Sequence, residues 1–160
     1  MSLVWTVLAL GRGMPEGAAA LFVDYRQRLK RFGELRLIEV AEHPRREEGA
    51  AARELALLKE WERLEPLLPP GAPVVALDLE GKPLTSLQWA QALERHRREG
   101  ARHLCFLIGG PDGLHAHALA RSDWRLSLGA MTFPHLLVRV LLAEQLYRAM
   151  TILHKVPYHR

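Results

Sequence analysis

Short apolar runs of strand length alternate with amphipathic stretches of helix length along the whole sequence, and this alternation limits the possible folds more than any other feature. The predicted strands are residues 3–10, 35–40, 73–79, 103–108 and 124–128, and the predicted helices are residues 15–31, 46–65, 85–99, 113–121 and 134–154. Runs rich in Val, Leu and Ile that are each followed by a helix favour a parallel sheet covered on both faces. The 160 residues are enough for one core and too few for two. The sequence therefore predicts a single α/β domain over residues 1–160.

The single cysteine and the lengths of the apolar runs exclude several classes of protein. Cys105 lies inside the apolar run 104–108, so we expect neither a disulfide nor a cysteine-based zinc site, and a reduced cytoplasmic setting fits best. His115 and His117 are two residues apart, a spacing that does not point two helical side chains at one metal, so we expect no metal site. No apolar stretch approaches the ~20 residues of a membrane span, so we expect no membrane segment.

The net charge of +4 is concentrated at one end of the chain. Residues 1–120 contain 16 Lys and Arg and 16 Asp and Glu, whereas residues 121–160 contain six basic and two acidic residues. Five of the eight histidines also lie at or after position 115. A surface of this kind suits a polyanion, and an ordinary solvated face is the alternative.

Glycine-bearing turns follow four of the predicted strands, where parallel α/β sheets bind their ligands. They are residues 11–13, 80–83, 109–113 and 129–133. The turn at 109–113 fits neither the G-x-G-x-x-G pattern of dinucleotide sites nor the P-loop of nucleotide hydrolases. It is either a ligand-binding loop with exposed amides or a tight turn in which Asp112 caps the next helix.

The last predicted helix is apolar on most of its circumference, which indicates burial on more than one side. Because a terminal helix of one small domain has a single core to face, we expect a second copy of the chain, a homodimer, on the other side. Arg139 lies among apolar residues and needs an acid, a carbonyl or a bound anion as partner, and a salt bridge across the subunit contact is one alternative. The ending Tyr158-His159-Arg160 offers a stacking ring, an imidazole and a guanidinium, unless it is merely a frayed terminus.

Several segments resemble one known family over essentially the whole chain. They are residues 76–82 (ALDLEGK), 107–114 (LIGGPDGL), 126–135 (LSLGAMTFPH), 138–148 (VRVLLAEQLYR) and 158–160 (YHR). These segments are similar to the RlmH (YbeA-like) ribosomal RNA methyltransferases of the SPOUT class. The resemblance implies a homodimer with a C-terminal trefoil knot that binds S-adenosylmethionine. It also implies methylation of N3 of a pseudouridine in 23S ribosomal RNA of the large ribosomal subunit.

The resemblance also assigns roles to individual residues of this sequence. The implied cofactor contacts are Leu77, Gly109, Leu128, Gly129, Ala130, Met131, Thr132 and Phe133. N3 of a uracil ring carries a proton, for which His159 is the first candidate acceptor and His135 the second. Arg139 and Arg160 are candidates for binding phosphate or the charge that develops on the ring oxygens, beside Tyr158. The sequence departs from the family pattern at Ala130, where members carry a basic residue, and at Lys155, where they carry glycine.

Two other functions fit the same residues. One is a SPOUT methyltransferase that acts on a different RNA nucleotide. The other is a non-catalytic ribosome-associated or RNA-binding module that retains only the fold.

Overall fold

The computed structural model describes residues 2–160. Its elements alternate between strand and helix, with one short 3₁₀ turn at Glu65–Leu67. The strands are β1 (Leu3–Leu10), β2 (Gly33–Val40), β3 (Val74–Pro83), β4 (His103–Ile108) and β5 (Trp124–Ser127). The helices are α1 (Glu16–Leu29), α2 (Ala50–Leu64), α3 (Ser86–Arg98), α4 (Ala116–Arg121) and α5 (His135–Leu153). Every strand and helix predicted from the sequence is present, with its ends shifted by a few residues.

The strands form one parallel sheet in the order β2-β1-β4-β3-β5, with a core on each face. Alternate residues of β1 divide between the two cores: Trp5, Val7 and Ala9 join one, and Leu8 and Leu10 join the other. Helices α1, α3 and α5 cover the first face, and α2 and α4 cover the second. The prediction of a single α/β domain with a parallel sheet between helices is therefore confirmed.

Helix α5 lies between α1 and α3 on its own sheet, which changes the argument made from its sequence. Leu142 and Leu146 are fully buried within the chain, as is Ala149. The apolar circumference of α5 is thus largely covered by two flanking helices and the sheet, without a second chain. Leu137 remains 39% exposed, and Leu21 of α1 is exposed as well, so a smaller apolar face is still open to a partner.

Strand β3 is longer than predicted, because it pairs with β5 a second time after a bulge. Leu77 and Lys82 both pair with Leu126 of β5, so the four residues between them bulge out of the sheet. Gly81 makes this bulge possible, because a side chain there would meet the backbone of Arg125 and Leu126 at 2.9 Å. Helix α4 also begins later than predicted, since Gly113 takes a φ of +81° that no helix accommodates.

Two of the predicted exclusions can be compared with the described residues. None of the helices in residues 2–160 is long and apolar enough to cross a membrane. Burial raises the pKa of the Cys105 thiol to about 12, so this cysteine remains protonated and does not act as a thiolate.

Candidate active site

A cavity of about 910 Å³ lies over the carboxyl ends of β3, β4 and β5. Three chain segments enclose it: the bulge of β3, the β4–α4 loop and the β5–α5 loop. The structure brings seven of the eight predicted cofactor residues to its wall, and these are Leu77, Gly109, Leu128, Gly129, Met131, Thr132 and Phe133. Ala130 is exposed and does not line the cavity. A volume of this size lies within the range of small-molecule sites, ~300–1,000 Å³.

The glycines of the β4–α4 loop serve the folding of the loop itself. A side chain on Gly109 would lie 2.4 Å from the backbone of Gly113, and Gly110 and Gly113 form an isolated bridge. The requirement for glycine at position 109 therefore comes from a backbone crossing inside the loop. The loop is packed closely enough to present a fixed wall to a ligand.

The β5–α5 loop forms the outer wall of the cavity. Ser127 fixes its start, because the hydroxyl donates to the carbonyl of Gly129 and accepts from the amide of Gly129. Gly129 itself has a φ of +129°. Beyond it, Met131 is 75% exposed and Phe133 is 36% exposed, so two large apolar side chains border the opening.

His135, the first residue of α5, also lines the cavity, and a residue that sequence reasoning missed holds it there. His135 Nε2 lies 3.0 Å from Glu42 Oε1, on the segment after β2. A side chain on Gly11 would meet both groups at about 3 Å, so the glycine at the end of β1 makes room for the pair. No local sequence pattern relates positions 42 and 135.

Arg139 is completely buried, and its partners lie within its own chain. Its guanidinium pairs with Glu39 of β2 and donates to the carbonyls of Leu10 and Gly11, while Nε has no partner among the described residues. The sequence predicts an acid, a carbonyl or a bound anion as partner, and the structure supplies an acid and two carbonyls from the same chain. The alternative of a salt bridge across a subunit contact is therefore wrong. In this arrangement the guanidinium offers no surface to an RNA phosphate, so Arg139 positions the ends of β1 and β2 against α5.

The C-terminal tail lies along the outside of α5 and away from the cavity of its own chain. The Tyr158 hydroxyl donates to Glu144, and the ring packs edge-on against Tyr147 at 4.8 Å. Burial, together with the hydrogen bonds to Tyr25 and Glu144, raises the pKa of the Tyr158 phenol. Glu144 lies nine positions after His135, or ~13 Å along the helix.

His159 contacts Arg148 through Nδ1 at 3.1 Å, and Arg160 is exposed. Arg148 also forms an ion pair with Glu144 at 2.6 Å. Within one chain the structure therefore brings His135 to the cavity and leaves Tyr158, His159 and Arg160 at a separate place.

Charged side chains of both signs lie in the cavity wall. Asp78, Glu80 and Asp112 line it together with Arg53. Asp112 does not cap α4, whose cap is His115; its carboxylate instead pairs with Arg45 at 3.0 Å and Arg53 at 3.6 Å.

The two histidines at the start of α4 lie edge-on to each other, with their ring centroids 4.5 Å apart. The ring nitrogens of His115 contact Glu54 and the backbone amide of His117. Within residues 2–160, however, no group of three or more potential ligands surrounds a metal position.

A parallel α/β sheet with a ligand-sized cavity at its carboxyl edge is the architecture of an enzyme that binds a small organic cofactor. The chain belongs to the SPOUT methyltransferase family: the family described as "Predicted SPOUT methyltransferase" matches residues 3–159. The proteins of this family use S-adenosylmethionine.

Two relatives of known name cover nearly the whole chain. The ribosomal RNA large subunit methyltransferase H of Magnetococcus marinus is 48% identical over 96% of this chain and 97% of its own. The enzyme of the same name from Burkholderia vietnamiensis is 42% identical over the same shares. The crystal structure of a probable methyltransferase from Bordetella pertussis Tohama I has a TM-score of 0.54 at 22% identity, covering 93% of this chain and 96% of that one. At that identity the likeness supports the fold alone.

The cavity fits S-adenosylmethionine in its size and in the chemistry of its wall. Leu77, Leu128 and Val138 are among the apolar side chains that would enclose an adenine ring. The carboxylates of Asp78 and Glu80 suit the hydroxyls of a ribose and the positive charges of a sulfonium and an ammonium group. The residues present are thus compatible with this cofactor.

Proposed function

We propose that this protein transfers a methyl group from S-adenosylmethionine to N3 of a pseudouridine in 23S ribosomal RNA, in the cytoplasm where ribosomes are made. The observation that carries the proposal is the cavity at the ends of β3, β4 and β5, with seven predicted cofactor residues in its wall. The names and the near-complete coverage of the two relatives support an RNA of the large subunit as the substrate. We propose further that residues 1–160 act as one catalytic domain.

The chain's own residues would place the nucleotide and remove one proton. S-adenosylmethionine, when bound, supplies the methyl group, and the N3–H proton of the uracil ring must leave as N3 accepts it. His135 is the histidine that lines the cavity in the same chain. His159 remains the first candidate for the proton acceptor, which requires that it reach a cavity other than that of its own chain.

A homodimer would meet this requirement. Leu21 of α1 is 49% exposed and Leu137 of α5 is 39% exposed, and the tail lies on the outer side of the same helix. If two copies pack through this face, Tyr158, His159 and Arg160 of one copy can reach the cavity of the other. The proposed catalytic set is then His159, Tyr158 and Arg160 from one chain with His135 from the second copy, positioned by Arg139.

We also propose that the segments around the cavity form a trefoil knot. Helix α5 follows the edge strand β5 yet returns to pack beneath the β1 and β4 ends, past the loop 109–114. A crystal structure with bound cofactor, traced from residue 74 to residue 153, tests this path. A chain path that does not pass through any loop would overturn it.

The experiment that tests the activity is single-turnover methylation of large ribosomal subunits from a strain that lacks this gene. Wild-type protein should add one methyl group, and mass spectrometry of the digested RNA should locate it on N3 of a pseudouridine. Deletion of residues 157–160 should abolish methylation and leave cofactor affinity unchanged, because the tail lies away from the cavity of its own chain. Thermal unfolding measures the stability that is lost with the contacts of Tyr158 to Tyr147 and Glu144.

Each other outcome has a distinct meaning. Methylation at another nucleotide would support the alternative SPOUT activity, and no methylation with retained RNA binding would support a non-catalytic module. Wild-type rates from the deletion variant would exclude the tail from the reaction and leave His135 as the acceptor. The matched variant Lys59→Ala, exposed on α2 and outside the cavity wall, should keep the wild-type rate.

A further inference from the structure

A second hollow, which we call the basic hollow, lies at the end of the sheet opposite the cofactor cavity. It has a volume of about 490 Å³, and its rim includes Arg97, Arg98 and Arg102. It also contacts Leu3, the first residue of β1, whereas the cofactor cavity begins where the strands end. Eight strand residues separate the two edges, or ~25 Å at about 3.3 Å per residue. One small ligand therefore cannot occupy both places.

The basic hollow carries more positive charge than Glu94, the acidic residue in its lining, can neutralise. Arg97 and Arg98 share the carboxylate of Glu94, at 2.6 and 3.1 Å. Arg102 is exposed and forms no ion pair with any described residue. The hydrogen bonds from Arg97 and Arg98 lower the pKa of Glu94 to about 2, so the carboxylate stays ionised and still offsets only one of three guanidinium groups. Two positive charges remain for an anion.

The inner wall of the basic hollow is apolar and partly aromatic. The rings of Phe32 and His154 lie 4.9 Å apart and tilted by 33°, and the Arg31 guanidinium lies 5.1 Å from the Phe32 ring. Leu3, Met150 and Leu153 also line the hollow. Aromatic rings beside arginines are the combination by which proteins hold unpaired nucleotides, because bases stack on the rings while guanidinium groups bind phosphates.

We propose that the basic hollow binds an unpaired nucleotide of the substrate RNA, with its phosphates on Arg98 and Arg102, at a site remote from the methylated base. This inference rests on the proposed function, because it assumes an RNA substrate large enough to span ~25 Å of protein. The contact adds affinity for the RNA without touching the reacting atoms. The enzyme would thus recognise a segment of ribosomal RNA beyond the target nucleotide.

The test is the double variant Arg98→Glu/Arg102→Glu, assayed with large ribosomal subunits that lack the methyl group. The KM for subunits should rise at least about 10-fold, while kcat at saturation and the calorimetric affinity for S-adenosylmethionine stay at wild-type values. The slope of log KM against log salt should fall by about 2, one for each lost phosphate contact. Thermal unfolding checks that the variant folds.

The matched control is Arg36→Glu/Lys59→Glu, which makes the same change of net charge at exposed positions on β2 and α2. The control should keep the KM and the salt slope within about twofold of wild type. Equal losses in both variants would mean that only net charge matters, and an unchanged KM in the first would mean that RNA does not contact the hollow; either result overturns the proposal. If wild-type protein fails to methylate any subunit, the proposed function itself is wrong. This result differs from every outcome that overturns only the proposal about the hollow, because in those outcomes the wild-type protein is active.

Discussion

Two glutamates of β2 make opposite kinds of contact. Glu39 pairs with the fully buried Arg139, while Glu34 pairs with Arg36 on the exposed surface. Removing one partner of a buried pair leaves an uncompensated charge, whereas an exposed pair contributes little. Glu39→Ala should therefore lower the free energy of unfolding by about 3 kcal/mol, and Glu34→Ala should leave it nearly unchanged. Urea denaturation measures both, and equal losses would contradict the role of Arg139.

The sequence predicts what kind of partner a single residue needs, but it does not predict which residue supplies that partner. The need of Arg139 for an acid follows from its apolar neighbours, but Glu39 lies 100 residues earlier in the chain. The pairing of His135 with Glu42 is hidden for the same reason. Both pairs depend on which strand lies beside which, and residue spacing carries no information about that.

Gly109 in the β4–α4 loop and Gly17 in α1 differ in what an added side chain would contact. Gly109→Ala places a methyl group 2.4 Å from the Gly113 backbone, so the β4–α4 loop must shift and the affinity for S-adenosylmethionine should fall at least about 10-fold. Gly17→Ala adds the same methyl group to α1 in open space, and we expect a gain in stability of about 0.5 kcal/mol. Calorimetric titration measures the first and thermal unfolding the second. Unchanged cofactor affinity in Gly109→Ala would show that the loop is not part of the binding site.

The packing of α3 on β5 should make stability depend on pH. His96 accepts a hydrogen bond from the Trp124 indole N–H through Nε2 at 3.0 Å, and burial lowers the pKa of His96. A histidine whose pKa is lower in the folded chain binds protons preferentially when unfolded, so stability falls as pH drops below about 6.5. Burial also lowers the pKa of His103, in the same direction, whereas burial raises the pKa of Glu60 and opposes the trend.

The measurement is the melting temperature at about pH 7 and about pH 5, on either side of the ordinary histidine pKa, for wild type and for His96→Gln. Wild type should lose more stability between the two pH values than the variant does, since a glutamine side chain does not bind a proton in this range. Equal losses in both proteins would exclude His96 as a source of the pH dependence. The control is His43→Gln, at a histidine that lies after β2 and contacts Arg63 instead of α3 or β5, and it should follow the wild-type profile.

The elements were predictable because each one is encoded locally. Thr85 and Gln88 form a capping box at the start of α3, and Gly100 ends the turn after it with a φ of +94°. The bulge of β3 was not predictable, because it arises where Leu77 and Lys82 both pair with Leu126 of β5, and no local pattern indicates that pairing. The bulge also forms part of the cavity wall, so an irregularity that local patterns miss shapes the candidate site.

Dimerisation can be separated from folding by two leucines of equal exposure. Leu137 on α5 and Leu67 in the 3₁₀ turn are both 39% exposed. If the chain forms the proposed homodimer, Leu137→Glu should convert it to a folded monomer because the glutamate places a charge on the proposed contact, and Leu67→Glu should leave the homodimer intact. Light scattering measures the molar mass of each variant, and equal masses for the two variants would contradict the proposed contact. Leu142→Glu, by contrast, would unfold the chain, since Leu142 is fully buried within it.

The periodicity of the sequence predicts the elements, but it does not predict how they are arranged in the whole molecule. The turns after four strands mark candidate ligand loops, and three of them meet in one cavity; Gly11, in the fourth, lies against His135. The strand order that brings them together cannot be derived from the sequence pattern, because hydrophobic patterns do not specify neighbours.

The strand order β2-β1-β4-β3-β5 has a consequence for the growing chain on the ribosome. Strands β1 and β2 can pair as soon as both have emerged, but β3 has no neighbour until β4 and β5 follow it. Its first residues, Val74 to Ala76, are fully buried in the finished sheet and stay open to wrong contacts for that interval. Because the last wall of the cavity belongs to residues 128–138, the nascent protein gains its cofactor site only after all five strands and the β5–α5 loop have emerged.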